Sequence, residues 1–271
     1  MSWLTGFQCA DGDQGKAMLE GEFHSMTALY KTAPNFVPKP HAWGQLNVSN
    51  PDTFYFLCDF IEMTSQIPEA TQLCTKLVQL HQASESPTGQ FGFHINTCQG
   101  SLPQQTSWNP SWQQYYIQMF NGSMQLNRDI NGPWKNLEQC AERLVKHVVP
   151  LILGPLEENG RKVKPTLIHG DLWDGNMGTD FRTGEIYVFD ASVYYAHNEM
   201  EIAMWRMNKV LGSKIYINTY LARMGISEPA DQFEDRLRLY GVYLTLHSSA
   251  CHNGSSFREQ YVMAVLEEIS R

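Results

Sequence analysis

The sequence predicts an α+β chain of two lobes, a small β-rich lobe over residues 1–63 and a larger, mainly helical lobe over residues 64–271. Strand-like runs cluster before residue 62, and helical periodicity dominates after residue 70. A short strand, loop and hairpin rich in polar residues interrupts the helices between residues 165 and 190.

Residues 1–15 are the least regular part, with Gly6, Asp11-Gly12-Asp13 and Gly15 as turn formers and no Gly-rich phosphate loop. From Lys16 to Lys31, the apolar residues Met18, Leu19, Phe23, Met26, Leu29 and Tyr30 recur at helical intervals, and the helix ends before Pro34. Glu20 and Glu22 lie on different faces of it. They read either as solvated acids of the first turns or, for Glu22, as an inward acid that pairs with a lysine on a nucleotide's phosphates.

Pro34, Pro38 and Pro40 make an extended connection. Trp43–Leu46 and Thr53–Ile61 then read as strands on either side of a turn. Residues 59–63 would follow as the hinge between lobes, lying along an adenine. Residues 70–83 form an amphipathic helix through Leu73, Leu77 and Leu80, with His81 at its end as a cap or packed residue. Residues 89–104 are irregular and aromatic, as a binding loop would be.

Trp108, Trp112, Tyr115, Tyr116 and Phe120 recur at helical spacing and read as core. One long helix is expected over residues 134–153, and further helices from the loop after residue 190 through Trp205 and over residues 213–224, 230–247 and 257–269.

The polar segment carries the chemistry. Leu167-Ile168 delivers His169 and Asp171, and Asn176 follows five residues after Asp171. This is the H-x-D-x-x-x-x-N spacing of a phosphotransferase loop, in which the Asp takes the proton of the acceptor hydroxyl and the Asn holds Mg²⁺. A β-rich run after the turn at residues 177–184 closes on Asp190, placed as a second oxygen ligand for a hard divalent cation. Singly, each of these residues reads equally well as a turn or strand-end residue. As an ordered set on a strand, loop and hairpin they point to phosphoryl transfer.

Composition narrows the partners. The 271 residues carry 42% hydrophobic side chains, ordinary for a globular chain, and a net charge of −8 with no basic cluster, which argues against nucleic acid. Six scattered cysteines without C-x-x-C pairs suit the reduced thiols of an intracellular protein. No secretory signal is visible, and the longest apolar stretch, residues 148–156, is broken by Pro150 and Pro155. A cytoplasmic location without a membrane partner is the expectation.

The motif block His169-Gly170-Asp171-Leu172-Trp173-Asp174-Gly175-Asn176 resembles that of the fructosamine-3-kinase, or ketosamine-3-kinase, family. So do Asp190-Ala191-Ser192-Val193-Tyr194-Tyr195-Ala196-His197-Asn198-Glu199-Met200-Glu201, Phe91-Gly92-Phe93-His94, Thr97-Cys98-Gln99-Gly100 and Glu20-Gly21-Glu22. The Trp after the Asp and the Tyr-x-x-His-x-Glu-x-Glu block set this pattern apart from aminoglycoside and choline kinases on the same scaffold.

The resemblance spans about residues 7 to 268 and implies a protein-kinase-like fold with ATP and Mg²⁺ as cofactors. It implies glycated proteins or small ketosamines as acceptors, phosphorylated at the sugar 3-hydroxyl so that the amine is later freed. It also implies Asp171 as catalytic base, Asn176 and Asp190 as metal ligands, Glu22 as partner of the nucleotide lysine and Trp173 at the acceptor sugar.

One departure stands out. The place of the family's ATP-binding lysine holds Gln8, and the small lobe is expected to be incomplete, without its Gly-rich segment. An inactive kinase-like binding protein, or a phosphotransferase for an aminoglycoside or amino-alcohol, are the other readings.

Overall fold

The computed structural model describes residues 5–47, 50–64, 66–208, 211 and 213–252. The chain opens with strand β1 (Thr5–Asp11), followed by helix α1 (Gly12–Thr32), β2 (Pro40–Gln45) and β3 (Thr53–Asp59). The three strands form an antiparallel sheet in the order β1-β3-β2. β1 pairs with β3 from Thr5↔Asp59 to Asp11↔Thr53.

The expected irregular opening is therefore overturned for residues 5–11. Gly6 and Asp11 are turn formers by local preference, but a complete ladder to a partner some fifty residues away in sequence satisfies their backbone groups, and pairing outweighs propensity. Helix α1 also starts four residues earlier than its periodicity shows. Gly12 takes φ +68, a left-handed conformation that only glycine adopts without strain, and its N–H donates to Asp52 O at 2.8 Å.

On β3 the alternate residues Phe54 and Phe56 are buried, and the Phe23 ring of α1 meets Phe56 edge-on at 6.1 Å. This alternation is that of a strand with one face on a helix. On the sheet's other face Phe7 stacks on Tyr55 and stays 57% exposed.

The short strand β4 (Met63–Thr64) pairs with β8 (Met177–Asp180), which pairs with β9 (Ile186–Val188) as the expected hairpin. Strand β7 (Thr166–Ile168) pairs antiparallel with β10 (Tyr194–Ala196), and β5 (Cys98–Gln99) with β6 (Leu102–Pro103). The helical mass comprises α2 (Ala70–Ala83), α3 (Trp112–Asn131), α4 (Lys135–Arg143), α5 (Val149–Leu153), α6 (Glu199–Met207), α7 (Lys214–Met224) and α8 (Phe233–Cys251). Helix α2 packs on α7, and α8 packs on both α3 and α6.

The aromatic stripe is core. Trp112, Tyr115, Tyr116 and Phe120 are fully buried, with Trp112 Nε1 donating to Tyr240 Oη at 2.8 Å and Tyr116 Oη to Leu239 O at 2.6 Å, while Tyr115 Oη has no hydrogen-bond partner among the described residues. Trp108 precedes the helix rather than belonging to it.

The long helix expected over residues 134–153 is divided. Residues 144–148 form a π-turn between α4 and α5, with Val149 N–H reaching Leu144 O. Pro150 offers no N–H to the carbonyl four residues back, so the ordinary ladder cannot run through this point. The helix expected at residues 257–269 lies outside the described residues. Among the described residues, no helix is long and apolar enough to cross a membrane.

Candidate active site

The polar residues singled out by spacing converge where β7 ends. Gly170 adopts φ +81, and a Cβ there would lie 2.3 Å from Ser192 O, so the chain turns only because this position is glycine. The turn sends Asp171 toward the hairpin. Asn176 closes a short 3₁₀ turn at residues 174–176, and its Nδ2 donates both to Asp171 O (2.9 Å) and to Asp171 Oδ2 (3.1 Å). With the nitrogen committed to Asp171, Oδ1 is the amide atom left for a cation.

The other oxygen of the same carboxylate, Asp171 Oδ1, accepts a hydrogen bond from Gln99 Nε2 at 3.1 Å. Burial raises the Asp171 carboxyl above its ordinary value, while Gln99 and His169 pull it back.

His169 is fully buried and links the loop to Asp190. Its Nδ1 accepts from Asp171 N–H (3.3 Å), which leaves Nε2 to donate to Phe189 O (2.9 Å). Burial holds this ring below the usual histidine value, against the opposing pull of Glu201, so the neutral tautomer fits both bonds.

Glu201, also buried, accepts from the backbone N–H of His169 (2.5 Å) and of Gly170 (3.2 Å), and lies 3.6 Å from His81 Nε2. His81 is thus a packed residue, its Nδ1 2.9 Å from Tyr220 Oη. Trp205 Nε1 donates to Leu172 O at 2.9 Å and fixes the far side of the loop.

Asp190 has φ +59, a sparsely populated conformation for a non-glycine residue that costs of the order of 1 kcal/mol and persists where surroundings enforce it. It faces Glu22 of α1. Burial and then Asp190 hold the Glu22 carboxyl well above the carboxylate range, and the Gln8 amide draws it down. Gln8 Nε2 donates to Glu22 Oε1 at 3.3 Å, so the neutral amide of β1 stands beside the helix acid, where the resemblance implies a lysine.

Among the described residues Glu22 has no ion pair. Lys16, the nearest lysine in sequence, lies over the Phe54 ring at 5.9 Å. Glu22, Asp171, Trp173, Asn176 and Asp190 line one cavity of about 290 Å³, and all five residues singled out from sequence are brought together there.

Asp171 and Trp173 also line a second cavity of about 420 Å³, with Gln99, Met204, Leu244 and His247 in its wall. Trp173 is 46% exposed and stands between the two spaces. Gly175 permits this, since a Cβ there would meet the indole ring at 2.2 Å. The Asp190 carboxylate and the Asn176 amide oxygen in the smaller cavity are oxygen donors of the kind that suit a hard divalent cation. The crowding of Glu22 against Asp190 is the observation that such a cation would relieve.

Sequence reasoning missed the roles of Gln99 and Glu201. Gln99 sits in a quoted motif, but no spacing ties it to Asp171, 72 positions away. Glu201 is the last acid of the Tyr-x-x-His-x-Glu-x-Glu block, and the other members of that block prove to be scaffolding. Glu199 forms a buried pair with Arg236 (2.6 and 3.0 Å), and His197 sits between Tyr240 and Ser227.

A β-sheet carrying one inward-facing helix acid, followed by a helical body with this loop and hairpin, defines a phosphotransferase of the kinase-like class. The family model described as fructosamine kinase matches residues 7–270. A chloroplastic protein-ribulosamine 3-kinase of Arabidopsis thaliana is 30% identical over 259 residues, covering 95% of this chain and 73% of its own. The mouse ketosamine-3-kinase is 30% identical over 269 residues, covering 90% of this chain and 81% of its own.

Among solved structures, a candidate fructosamine-3-kinase from Haemophilus somnus superposes with a TM-score of 0.75 at 18% identity, covering 98% of this chain and 83% of that one. Choline kinase LicA from Streptococcus pneumoniae superposes with a TM-score of 0.60 at 11% identity, covering 97% and 85%. The chain belongs to the fructosamine kinase family.

Proposed function

We propose that the chain transfers the γ-phosphoryl group of ATP to the sugar 3-hydroxyl of a ketosamine, a fructosamine or ribulosamine adduct on a protein or small amine. Loss of the phosphorylated sugar then completes deglycation. The observation that carries this reading is the Asp171 carboxylate, held by Gln99 and Asn176 at the boundary of two cavities, one lined by Glu22, Asn176 and Asp190 and the other by Trp173, Met204 and Leu244.

In this reading Asp171 accepts the proton of the 3-hydroxyl as the oxygen forms its bond to the γ-phosphorus. The bond from that phosphorus to the bridging oxygen breaks, and ADP leaves. The upward displacement of the Asp171 carboxyl brings it nearer to a working base at neutral pH. Trp173 provides the sugar with an apolar ring face.

Asn176 and Asp190 would hold Mg²⁺, which when bound neutralises charge on the phosphates. Glu22 stands on the nucleotide side of the smaller cavity, and residues 1–63 and 64–271 serve as nucleotide and acceptor lobes. The enzyme acts in the cytoplasm on glycated proteins or free ketosamines.

One contact favours a second reading, in which the chain binds glycated amines without turnover: the neutral Gln8 at Glu22, where a cation on the phosphates would contribute most to transfer. Phosphate transfer from ATP to ribulosyl-lysine, followed by ³¹P NMR, tests both. A new phosphomonoester signal dependent on Asp171 supports the kinase. Its absence, with ribulosyl-lysine still bound, supports the binding protein.

A further inference from the structure

Two histidines lie outside both cavities and have no part in the proposed reaction. His94 closes the Phe91-Gly92-Phe93-His94 motif, and His24 stands two residues beyond Glu22 on α1. The fold brings them together across 70 positions, with His94 Nε2 3.2 Å from His24 Nδ1. Their rings are nearly perpendicular, at 79°, with centroids 4.9 Å apart. The backbone on either side of His94 is anchored, since Phe93 N–H donates to Thr106 O at 2.7 Å and Thr106 Oγ1 to Ile95 O at 2.6 Å. On α1, Ser25 and Met26 beside His24 are buried.

As a hydrogen bond this contact is bent, because two imidazoles joined in line at that length would hold their centroids farther apart. Two ligands of one ion show such a bend, since their lone pairs aim at a point beside the line between the nitrogens. An imidazole nitrogen binds Zn²⁺ at about 2.0 to 2.1 Å, so two nitrogens 3.2 Å apart subtend about 100° at the ion, near the tetrahedral angle. Burial, and then His24, hold the His94 ring below the usual histidine value, in the neutral form that ligates metals. Lys31 also acts on His94, but it is exposed, on a flexible stem that can turn to solvent.

We infer that His24 and His94 form a binding site for a borderline-soft divalent cation of the Zn²⁺ type, tying α1 to the loop that carries Gln99. Imidazole nitrogens suit Zn²⁺, Ni²⁺ and Cu²⁺, whereas Mg²⁺ prefers oxygen, so this site is chemically distinct from the carboxylate and amide of the smaller cavity. Among the described residues no group of three or more His, Cys, Asp or Glu could hold a metal, so water completes the coordination of this pair. The ring that donates in the hydrogen-bonded pair moves its proton to its outer nitrogen. Both facing nitrogens then offer lone pairs, and both rings stay neutral. None of this depends on the proposed reaction.

The test titrates the full chain with Zn²⁺ alone by calorimetry, without nucleotide, in the wild type, His24→Gln, His94→Gln and the double variant. Gln keeps a hydrogen-bonding group at either position and removes a good ligand. The wild type is expected to bind Zn²⁺ saturably, and each single variant to bind it on the order of 10-fold or more weaker. The double variant should be no weaker than either single one, because the two rings act as a unit. Side-chain ¹⁵N NMR should show His94 Nε2 and His24 Nδ1 as the nitrogens that respond to the ion, and excess Mg²⁺ should leave the binding unchanged.

A pair that is only hydrogen-bonded gives either no saturable Zn²⁺ binding or binding that the variants do not alter, and each result overturns the inference. Displacement of Zn²⁺ by Mg²⁺ overturns it as well, since that places the ion among the oxygen donors of the smaller cavity.

Discussion

The Asp171 loop and the Glu22 helix line the same small cavity, yet their charges are compensated in different ways. Around Asp171 each carboxylate oxygen has an amide donor, the neighbouring imidazole is held in one tautomer, and Glu201 ties down the loop's backbone. Around Glu22 two carboxyl groups crowd together with one neutral amide beside them. On the proposed assignment, the acceptor half of the site has its charges compensated by its own residues, while the nucleotide half crowds two carboxyl groups that a positive charge would relieve. A chain can keep the carboxylate of the proposed base oriented while the electrostatics around Glu22 are open to change, because the two depend on different elements.

The sharpest break of this contrast is Asp171→Asn. It keeps the shape and one acceptor oxygen but removes the proposed base, and transfer should fall by about 10²- to 10⁴-fold. Nucleotide affinity, measured by calorimetry, should stay within about twofold. Retained transfer would move the base elsewhere.

Next comes the support beneath the loop. Glu201→Ala leaves the N–H groups of His169 and Gly170 unpaired in a dry interior and should lower stability by roughly 3 kcal/mol, read from urea unfolding. An unchanged midpoint would show the loop to be held by Trp205 and the β-pairing alone.

The histidine of the same block supplies a pH test of comparable size. Burial pushes His197 down to about 4 from the ordinary 6.5, so the folded state favours the neutral ring. The stability it contributes is therefore present above pH 6.5 and is lost as pH falls toward 4, by about 3 kcal/mol in total. His197→Gln should flatten the acid limb of the stability curve. His247, likewise held near 4, accounts for part of the slope that remains.

Smallest is the change that would equalise the two halves. Gln8→Lys places a cation next to Glu22 and Asp190, and ATP should bind about tenfold tighter, equivalent to about 1.4 kcal/mol. No gain would show that β1 does not present residue 8 to the phosphates.

What could be read from the sequence followed the reach of local rules. The spacing from His169 to Asn176, the hairpin to Asp190 and helix α2 are encoded within a few residues and emerged as expected. Strand β1 did not, because its partner is β3 and nothing within residues 5–11 announces the ladder. The π-turn was signalled only by Pro150, a single residue inside an otherwise helical pattern. Gln99 and Glu201 act on Asp171 and on the backbone of residues 169 and 170 across 31 to 72 positions, contacts that only the tertiary fold creates. Gln8 was legible as a substitution, but its contact with Glu22 needed the sheet to set β1 against α1.

The seating of α1 carries a consequence for control. Ser25 Oγ accepts from Val193 N at 3.2 Å while donating to Gly21 O, and Gly21 lies so close to the chain that a Cβ there would come within 3.3 Å of Thr97 Cα. The helix is thereby bolted to the segments that carry Gln99 and follow Asp190. Swinging it outward to silence the site would rupture a buried hydrogen bond and open a gap in close packing. It is a poor lever. Control over such a chain has to come through what reaches its two cavities rather than through displacement of this helix.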